Sequence, residues 1–472
     1  MMETSTTTFP ENVAKALADS QLQHAMAETG PGLIAKRAKA REALPEFDSL
    51  RDQARDIKDH VLAHLDLYLE RYEKKVVETG GTVHWASTSE EARAAILAIC
   101  KRVSAKIVTK GKSMVAEEID LNHALTAAGH EPVETDLGEY LIQLRNERPS
   151  HFILPAVHLT REQVEADFRR SHTHLDRDRN LSGIPALVEE ARGVLRQKYF
   201  AADVGITGAN FLVAETGTSI IVTNEGNGDL TQLLPKVHIV IASIEKIVPT
   251  LEDASTILRV LARSALGQDL SSYTTLSTGP KREADLDGPE EYHVVILDNG
   301  RSNVLGTEFQ DMLRCIKCGA CLNHCPVYQA VGGQAYGWVY PGPIGAVVTP
   351  ALIGIEKARH LPNASTFCGR CEEVCPMRIP LPKMLRHWRE KEFEQHLSPS
   401  AVRWGLGFWA FAAKRPKLYH FGTRIATRIL SYFGHGTGRL SSLPLASSWT
   451  GTRDFPAPQG KTFQQMWKER RR

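Results

Sequence analysis

Apolar positions repeat with different periods along this chain, and the period changes near residues 60, 300 and 390. Up to about residue 60, Ala, Gln, Lys, Arg and Glu dominate with few turn signals, which predicts helices with a solvated surface. From 61 to 300, helical stretches such as 90–103 and 184–199 alternate with short apolar runs. The runs are Ala105-Lys106-Ile107-Val108, His151-Phe152-Ile153-Leu154, Phe211-Leu212-Val213-Ala214, Ser219-Ile220-Ile221-Val222, His238-Ile239-Val240-Ile241-Ala242 and Tyr292-His293-Val294-Val295-Ile296-Leu297. Strands that alternate with helices predict an α/β domain around a largely parallel, buried sheet. Only the four residues Glu215-Thr216-Gly217-Thr218 separate the runs at 211 and 219, so that pair reads as a hairpin.

Residues 301–390 are punctuated by Gly and Pro, and 332–350 are so rich in both that an irregular loop is expected, wrapping something or covering a partner. The tail, 391–472, is aromatic and basic, with Trp404, Phe408 and Phe411 at helical spacing, followed by Phe421, Ile425 and Ile429. Such a stripe packs into a core or docks on a partner or membrane surface. No run reaches the ~18 apolar residues of a spanning helix; the nearest, 404–413, is followed by Lys414 and Arg415. The Thr-rich first ten residues lack the basic end and apolar run of a secretory signal, so a cytoplasmic location is expected. A net charge of +2 with 24% charged residues gives no nucleic-acid footprint. At 472 residues, more than one domain is expected.

Cysteine usage changes this picture most. Of eight cysteines, seven fall between Cys315 and Cys375, a clustering that metal ligation explains better than disulfides in a cytoplasmic chain. Cys100, at the end of the apolar stretch 94–99, reads as a buried helix residue. Cys315-x-x-Cys318-x-x-Cys321-x-x-x-Cys325-Pro326 is the run of bacterial ferredoxins, in which three thiolates hold one cubane and the fourth reaches the neighbouring cluster. Zinc is the simpler alternative, and four cysteines at these spacings before a proline argue against it. Cys368-x-x-Cys371-x-x-x-Cys375-Pro376 aligns from its proline end with Cys318, Cys321 and Cys325, which sets Ser365 where the first motif has Cys315. Crossing the fourth ligands gives one cluster Cys315, Cys318, Cys321 and Cys375, and the other Cys325, Cys368 and Cys371. Two [4Fe–4S] clusters are expected. The second, one thiolate short, holds either [4Fe–4S] with Ser365, water or a partner group on the fourth iron, or [3Fe–4S]. With no clear acid and base pair nearby, one-electron relay is the default chemistry.

Other candidates have plainer readings beside them. Glu225, in Thr223-Asn224-Glu225-Gly226-Asn227, invites analogy with the nucleophilic glutamate of CoA transferases, whereas Asn and Gly are also simply turn formers. Glu215 to Thr218 is a pocket edge or a hairpin. His151, His158, His238 and His293 lie near strand ends but read as satisfied histidines. Lys106, Lys110 and Lys112 could face an anion, although a solvated charged face is commoner.

Several stretches together resemble the lactate utilization protein B family: Lys112-Ser113-Met114 with Glu117-Glu118-Ile119, Glu134 to Glu139, Pro149-Ser150-His151, Gly208 to Phe211, Glu215 to Thr218, Thr223 to Asn227, Gly279-Pro280, Asp287-Gly288-Pro289 and Leu297 to Arg301. The cysteine segment and aromatic tail continue the likeness, which covers nearly everything beyond about residue 60. The resemblance implies the iron–sulfur subunit of a three-protein cytoplasmic system that oxidises L-lactate to pyruvate, with its other subunits as partners. It makes 61–300 an α/β lactate-utilization domain, similar to the ribose-5-phosphate isomerase and CoA-transferase group; with the composition and cysteine spacing, four regions are expected, the others being a helical extension over 1–60, a mainly helical two-cluster ferredoxin-like domain over 301–390 and an aromatic, basic helical tail over 391–472. Two other classes remain beside it, a stand-alone enzyme on a carboxylate or acyl substrate and a redox-sensing scaffold.

Overall fold

In the computed structural model, which describes residues 4–443, 450–451 and 453–471, ten strands lie between residues 82 and 297. They are β1 Thr82–Ala86, β2 Ile107–Lys110, β3 Glu131–Glu134, β4 Val204–Gly208, β5 Phe211–Val213, β6 Thr218–Thr223, β7 Val237–Ser243, β8 Ile247–Val248, β9 Tyr273–Ser277 and β10 Glu291–Leu297. Six pair in parallel in the order β1-β10-β7-β4-β2-β3. Central β7 is apolar almost throughout because both its faces are covered. Ile239 and Ile241 pack with Ile96, Ile99 and Leu125 on one face, and Val240 and Ala242 with Tyr72, Val76 and Leu212 on the other. A second sheet, β8-β5-β6-β9, contains the expected hairpin, with Phe211 opposite Ile220.

Strands without an apolar run escape a reading by pattern. β1 and β3 are edges of the main sheet, and Glu131 and Thr82 on them are exposed. Within β4, a side chain at Gly205 would meet the Thr231 carbonyl oxygen at 1.8 Å, so glycine interrupts the run for a packing reason. The run at 151–154, expected as a strand, is irregular. His151 Nδ1 there accepts from the Ile153 and Leu154 N–H groups at 3.0 and 3.1 Å, satisfying locally what a ladder would otherwise satisfy.

Two further expectations are corrected. The helices Phe9–Ala18, Ser20–Glu42 and Phe47–Ala63 do not form only a solvated surface. Arg37 and Arg51 are buried, and they donate to the carbonyls of Val374 and Cys375 at 2.8 and 2.7 Å. Their long apolar stems pack while the guanidinium groups are satisfied by backbone. The Gly- and Pro-rich stretch is not irregular throughout either, because Gly342–Ile353 is a helix buried from Gly342 to Pro350. Pro343 stands in its first turn, where the missing N–H costs nothing, and a helix apolar on every side belongs inside.

The chain divides into two compact units, Met1–Glu392 and Phe393–Arg472. In the second, the helices Ser400–Ala413 and Pro416–Gly434 precede a short ladder of Arg439–Leu440 with Phe455–Pro456 and a helix Phe463–Arg470. The aromatic stripe is not packed into a core: Ser400–Ala413 buries none of its residues, and Trp404 is 81% exposed. Among the described residues no helix is long and apolar enough to cross a membrane.

Candidate functional site

Both cysteine motifs adopt the same backbone turn. Lys317 (φ 59°) and Gly319 (φ 73°) flank Cys318 in left-handed conformations, as Phe367 (φ 53°) and Gly369 (φ 80°) flank Cys368. The Lys317 N–H donates to Cys315 Sγ at 3.4 Å, and the Phe367 N–H donates to Ser365 Oγ at 3.2 Å. Ser365 thus occupies in the second turn the place of Cys315 in the first. Short helices, Ala320–Asn323 and Arg370–Glu373, then lead to Cys325-Pro326 and Cys375-Pro376.

Cys315, Cys318, Cys321 and Cys375 line one cavity, although Cys375 is sixty positions from Cys315. The rest of its wall is apolar, including Phe152, Ile344, Met377 and Leu381. Burial pushes the Cys318 thiol up to about 12, with Cys375 and Cys315 beside it adding to the effect. It likewise pushes Cys375 up to about 11, and Cys321 well above the ordinary range. Thiols raised this far keep their protons unless a cation replaces them. Four sulfurs on one dry cavity, with no charged side chain in its wall, are a donor set suited to iron in a cubane.

Cys325, Cys368 and Cys371 form a second neighbourhood. Burial pushes Cys371 up to about 12, helped by Cys325 and Cys368. Cys368 is exposed, and hydrogen bonds from the Arg370 N–H and from Thr366 hold its thiol below the ordinary value. Cys100 lies apart from both groups, buried in the core of the main sheet.

Sequence reasoning missed Arg37 and Arg51, whose charge was read as solvation. The available signal was spacing: Leu33, Arg37 and Ala40, and then Phe47, Leu50, Arg51, Ala54 and Lys58, fall on buried helix faces. Glu118, Arg301 and Glu245 were also missed. Arg301 is buried between the two carboxylates, 2.6 Å from Glu118 and 3.0 Å from Glu245. Burial alone would raise Glu118, but Arg301 holds it below its usual value.

A larger cavity, about 250 Å³, opens at the carboxyl ends of the parallel strands. Gly111, Lys112 and Ser113 follow β2, and Gly208, Ala209 and Asn210 close β4. From β2 the chain moves outward to β3, whereas from β4 it moves the other way to β7. This is a topological switch point, where open α/β sheets bind ligands. Phe152 and Ile316 line both this cavity and the four-sulfur one, so the two are neighbours across a shared apolar wall.

Of the lysines considered from sequence, only Lys112 lines this cavity. Lys110 is buried against Glu117 and Glu134 at 2.7 and 2.6 Å, and Lys106 is exposed. Lys246 and Lys317 line it too; burial lowers Lys246 to about 8. Glu225 and Asp136 face the same space. Partial burial and the neighbouring Asp136 push the Glu225 carboxyl up, and the Leu137 N–H opposes them. Glu215 to Thr218 turn the hairpin and lie outside it. The four histidines also lie outside. His151 Nε2 meets Asn323 Oδ1 at 3.0 Å, His158 pairs with Glu147, His238 with Thr207, and His293 with His84 and Glu291.

Compared with known proteins, residues 69–297 match the LUD domain, 311–379 a 4Fe-4S dicluster domain, and 370–472 the C-terminal region of lactate utilisation protein B. Lactate utilization protein B of Macrococcus caseolyticus is 43% identical, covering 98% of this chain and 97% of that one. Its counterpart in Bacillus licheniformis is 41% identical, covering all of this chain and 98% of that one. The "Uncharacterized electron transport protein YkgF" of Escherichia coli is 40% identical, covering 99% and 98%.

Proposed function

The chain belongs to the lactate utilization protein B family, and on that premise we propose that it is the iron–sulfur electron-transfer subunit of a cytoplasmic multi-protein system that oxidises L-lactate to pyruvate. One centre is a [4Fe–4S] cluster on Cys315, Cys318, Cys321 and Cys375. The other is held by Cys325, Cys368 and Cys371, as [4Fe–4S] with Ser365, water or a partner group completing it, or as [3Fe–4S]. The observation that carries this reading is the cavity lined by four sulfurs from both motifs.

Bound clusters supply one-electron carriage, at potentials set by burial and hydrogen bonds to sulfur. The chain's own residues make the enclosure. Arg37 and Arg51 hold the Val374 and Cys375 carbonyls from behind, and Phe152 and Leu381 keep water from the sulfurs. Residues 61–300 are then the lactate-utilization domain and 301–390 the ferredoxin-type domain.

Iron content tests the reading. Anaerobically purified protein should hold about 7–8 iron atoms per chain; a single zinc would sink it. Turnover of lactate with an artificial acceptor and no partner protein would favour a stand-alone enzyme. Clusters that cannot be reversibly reduced would favour a scaffold.

The tail supports an additional contact. Between Gln395 and Arg453 it carries Arg403, Lys414, Arg415, Lys417, Arg424 and Arg428 but no carboxylate side chain, with Trp404, Phe408 and Trp409 exposed. That composition fits an anionic membrane surface. Flotation with phosphatidylglycerol vesicles, absent with neutral ones, is the expected result; binding to neither ends the idea.

A further inference from the structure

Three lysines line the cavity at the switch point, and none of their ammonium groups has an ion-pair or hydrogen-bond partner among the described residues. Lys112 follows β2, Lys246 follows β7, and Lys317 belongs to the first cysteine turn. Lys246 is 8% exposed, and Lys317 Nζ rests 4.2 Å from the centre of the Tyr340 ring. Positive charge at a largely buried position is costly unless something compensates it. Carboxylates compensate these lysines only in part: Asp136 and Glu225 attract Lys112, and Glu245 attracts Lys246, through space and without a direct ion pair, and burial still lowers both lysines. Asp136 Oδ1 accepts from the Glu139 N–H at 3.2 Å, capping the helix Leu137–Arg145, and Glu225 faces the Leu137 N–H of the same first turn.

We propose that this cavity is a binding site for a small organic carboxylate, held by the ammonium groups of Lys112, Lys246 and Lys317 beside the four-sulfur cavity. Size limits the ligand. At about 250 Å³ the cavity lies just below the usual ~300–1,000 Å³ of drug-sized sites, too small for a dinucleotide. Charge limits it further: three lysines against two carboxylates leave one positive charge, which matches a monoanion better than a pyrophosphate. The wall is otherwise amphiphilic. Thr223, Asn224 and Asn210 offer hydrogen-bonding groups, and Leu261, Leu266 and Phe152 offer apolar surface. A carboxylate that also bears a hydroxyl or oxo group uses all three kinds of surface. The shared wall of Phe152 and Ile316 brings that ligand next to the sulfur-lined cavity. Binding itself needs no cluster; only its redox meaning rests on the function proposed above.

Calorimetric titration of the full-length, anaerobically purified chain with L-lactate, pyruvate and inorganic phosphate tests the inference, with iron measured on the same samples. The wild type should bind at least one of the two carboxylates and bind phosphate more weakly. Lys112→Met and Lys317→Met should each weaken carboxylate binding about tenfold, the equivalent of one charge-assisted hydrogen bond. Lys317→Arg should recover part of the loss, and Lys106→Met, at an exposed site, should bind like the wild type. Iron-replete protein that binds neither carboxylate overturns the inference and leaves the proposed function standing. Phosphate binding as tight as carboxylate binding overturns the ligand class, and folded lysine variants that bind like the wild type overturn the site. Iron-free protein that binds carboxylates through these lysines instead overturns the proposed function alone.

Discussion

Lys317-Cys318-Gly319 and Phe367-Cys368-Gly369 make the same left-handed turn, yet Cys318 is only 7% exposed while Cys368 is open to solvent. The first turn is roofed by Phe152 from the α/β region and backed by the helix Gly342–Ile353 through Ile344. The second has Ser365 in place of a cysteine, with Phe367 36% exposed beside it. One local motif therefore yields an enclosed set of four sulfurs and an open-edged set of three. Covering by distant segments, rather than the turn, sets how well each group is shielded from water.

The largest expected effect tests whether the two sets are separate. Cys375→Ser and Cys318→Ser should abolish the same electron paramagnetic resonance signal and lower iron from about 7–8 to about half per chain. Cys325→Ser and Cys371→Ser should instead affect the other signal. Loss of the second signal in Cys375→Ser would mean that each motif closes its own site.

Arg51→Ala comes next, because it strips donors from the buried Cys375 carbonyl and from Glu373. A loss of about 3 kcal/mol is expected in chemical denaturation, with the four-sulfur signal perturbed before the other. An unchanged denaturation midpoint would show that the arginine is replaceable there.

A matched pair of glycine variants measures the roof itself. At Gly369 an added Cβ meets nothing within 4 Å, so Gly369→Ala should cost only the left-handed penalty of about 1–2 kcal/mol. Gly319→Ala adds a 2.7 Å approach to the His151 ring and should cost more. Equal losses in thermal melts would mean that the His151 loop yields freely.

The smallest effect on the fold is expected from Ser365→Cys, which puts a thiol where Phe367 N–H already meets a hydroxyl. Stability should change little. The time for air exposure to convert the second centre to a [3Fe–4S] spectrum should lengthen, and an unaltered time course would remove Ser365 from the fourth position.

How much was legible depended on whether the signal was local. The apolar runs at 211, 219, 238 and 292 are strands because buried central strands need continuous apolar residues. β4, broken by Gly205, was not legible, since the reason for that glycine is the Thr231 carbonyl of another segment. His151-Phe152-Ile153-Leu154 has strand-like composition, yet Phe152, Ile153 and Leu154 wall the larger cavity and Phe152 the four-sulfur one as well. That role depends on neighbours about 160 positions away. Arg37 and Arg51 were hidden similarly, because a charged side chain reads as solvated until its carbonyl partners are known.

By itself, the sequence determined the chemistry: thiols at ferredoxin spacing, a serine where the first motif has Cys315, alternating strands and helices, and a cationic aromatic stretch without carboxylates between Gln395 and Arg453. These are fixed by residue type and by separations of a few positions, where backbone geometry leaves little choice. Tertiary structure alone decided how well each set of sulfurs is covered, which lysine ammonium groups lack partners among the described residues, and that a second, larger cavity adjoins the four-sulfur one. Each of these is a contact between segments far apart in the chain. Such contacts are settled by the burial of whole faces, which no local spacing encodes.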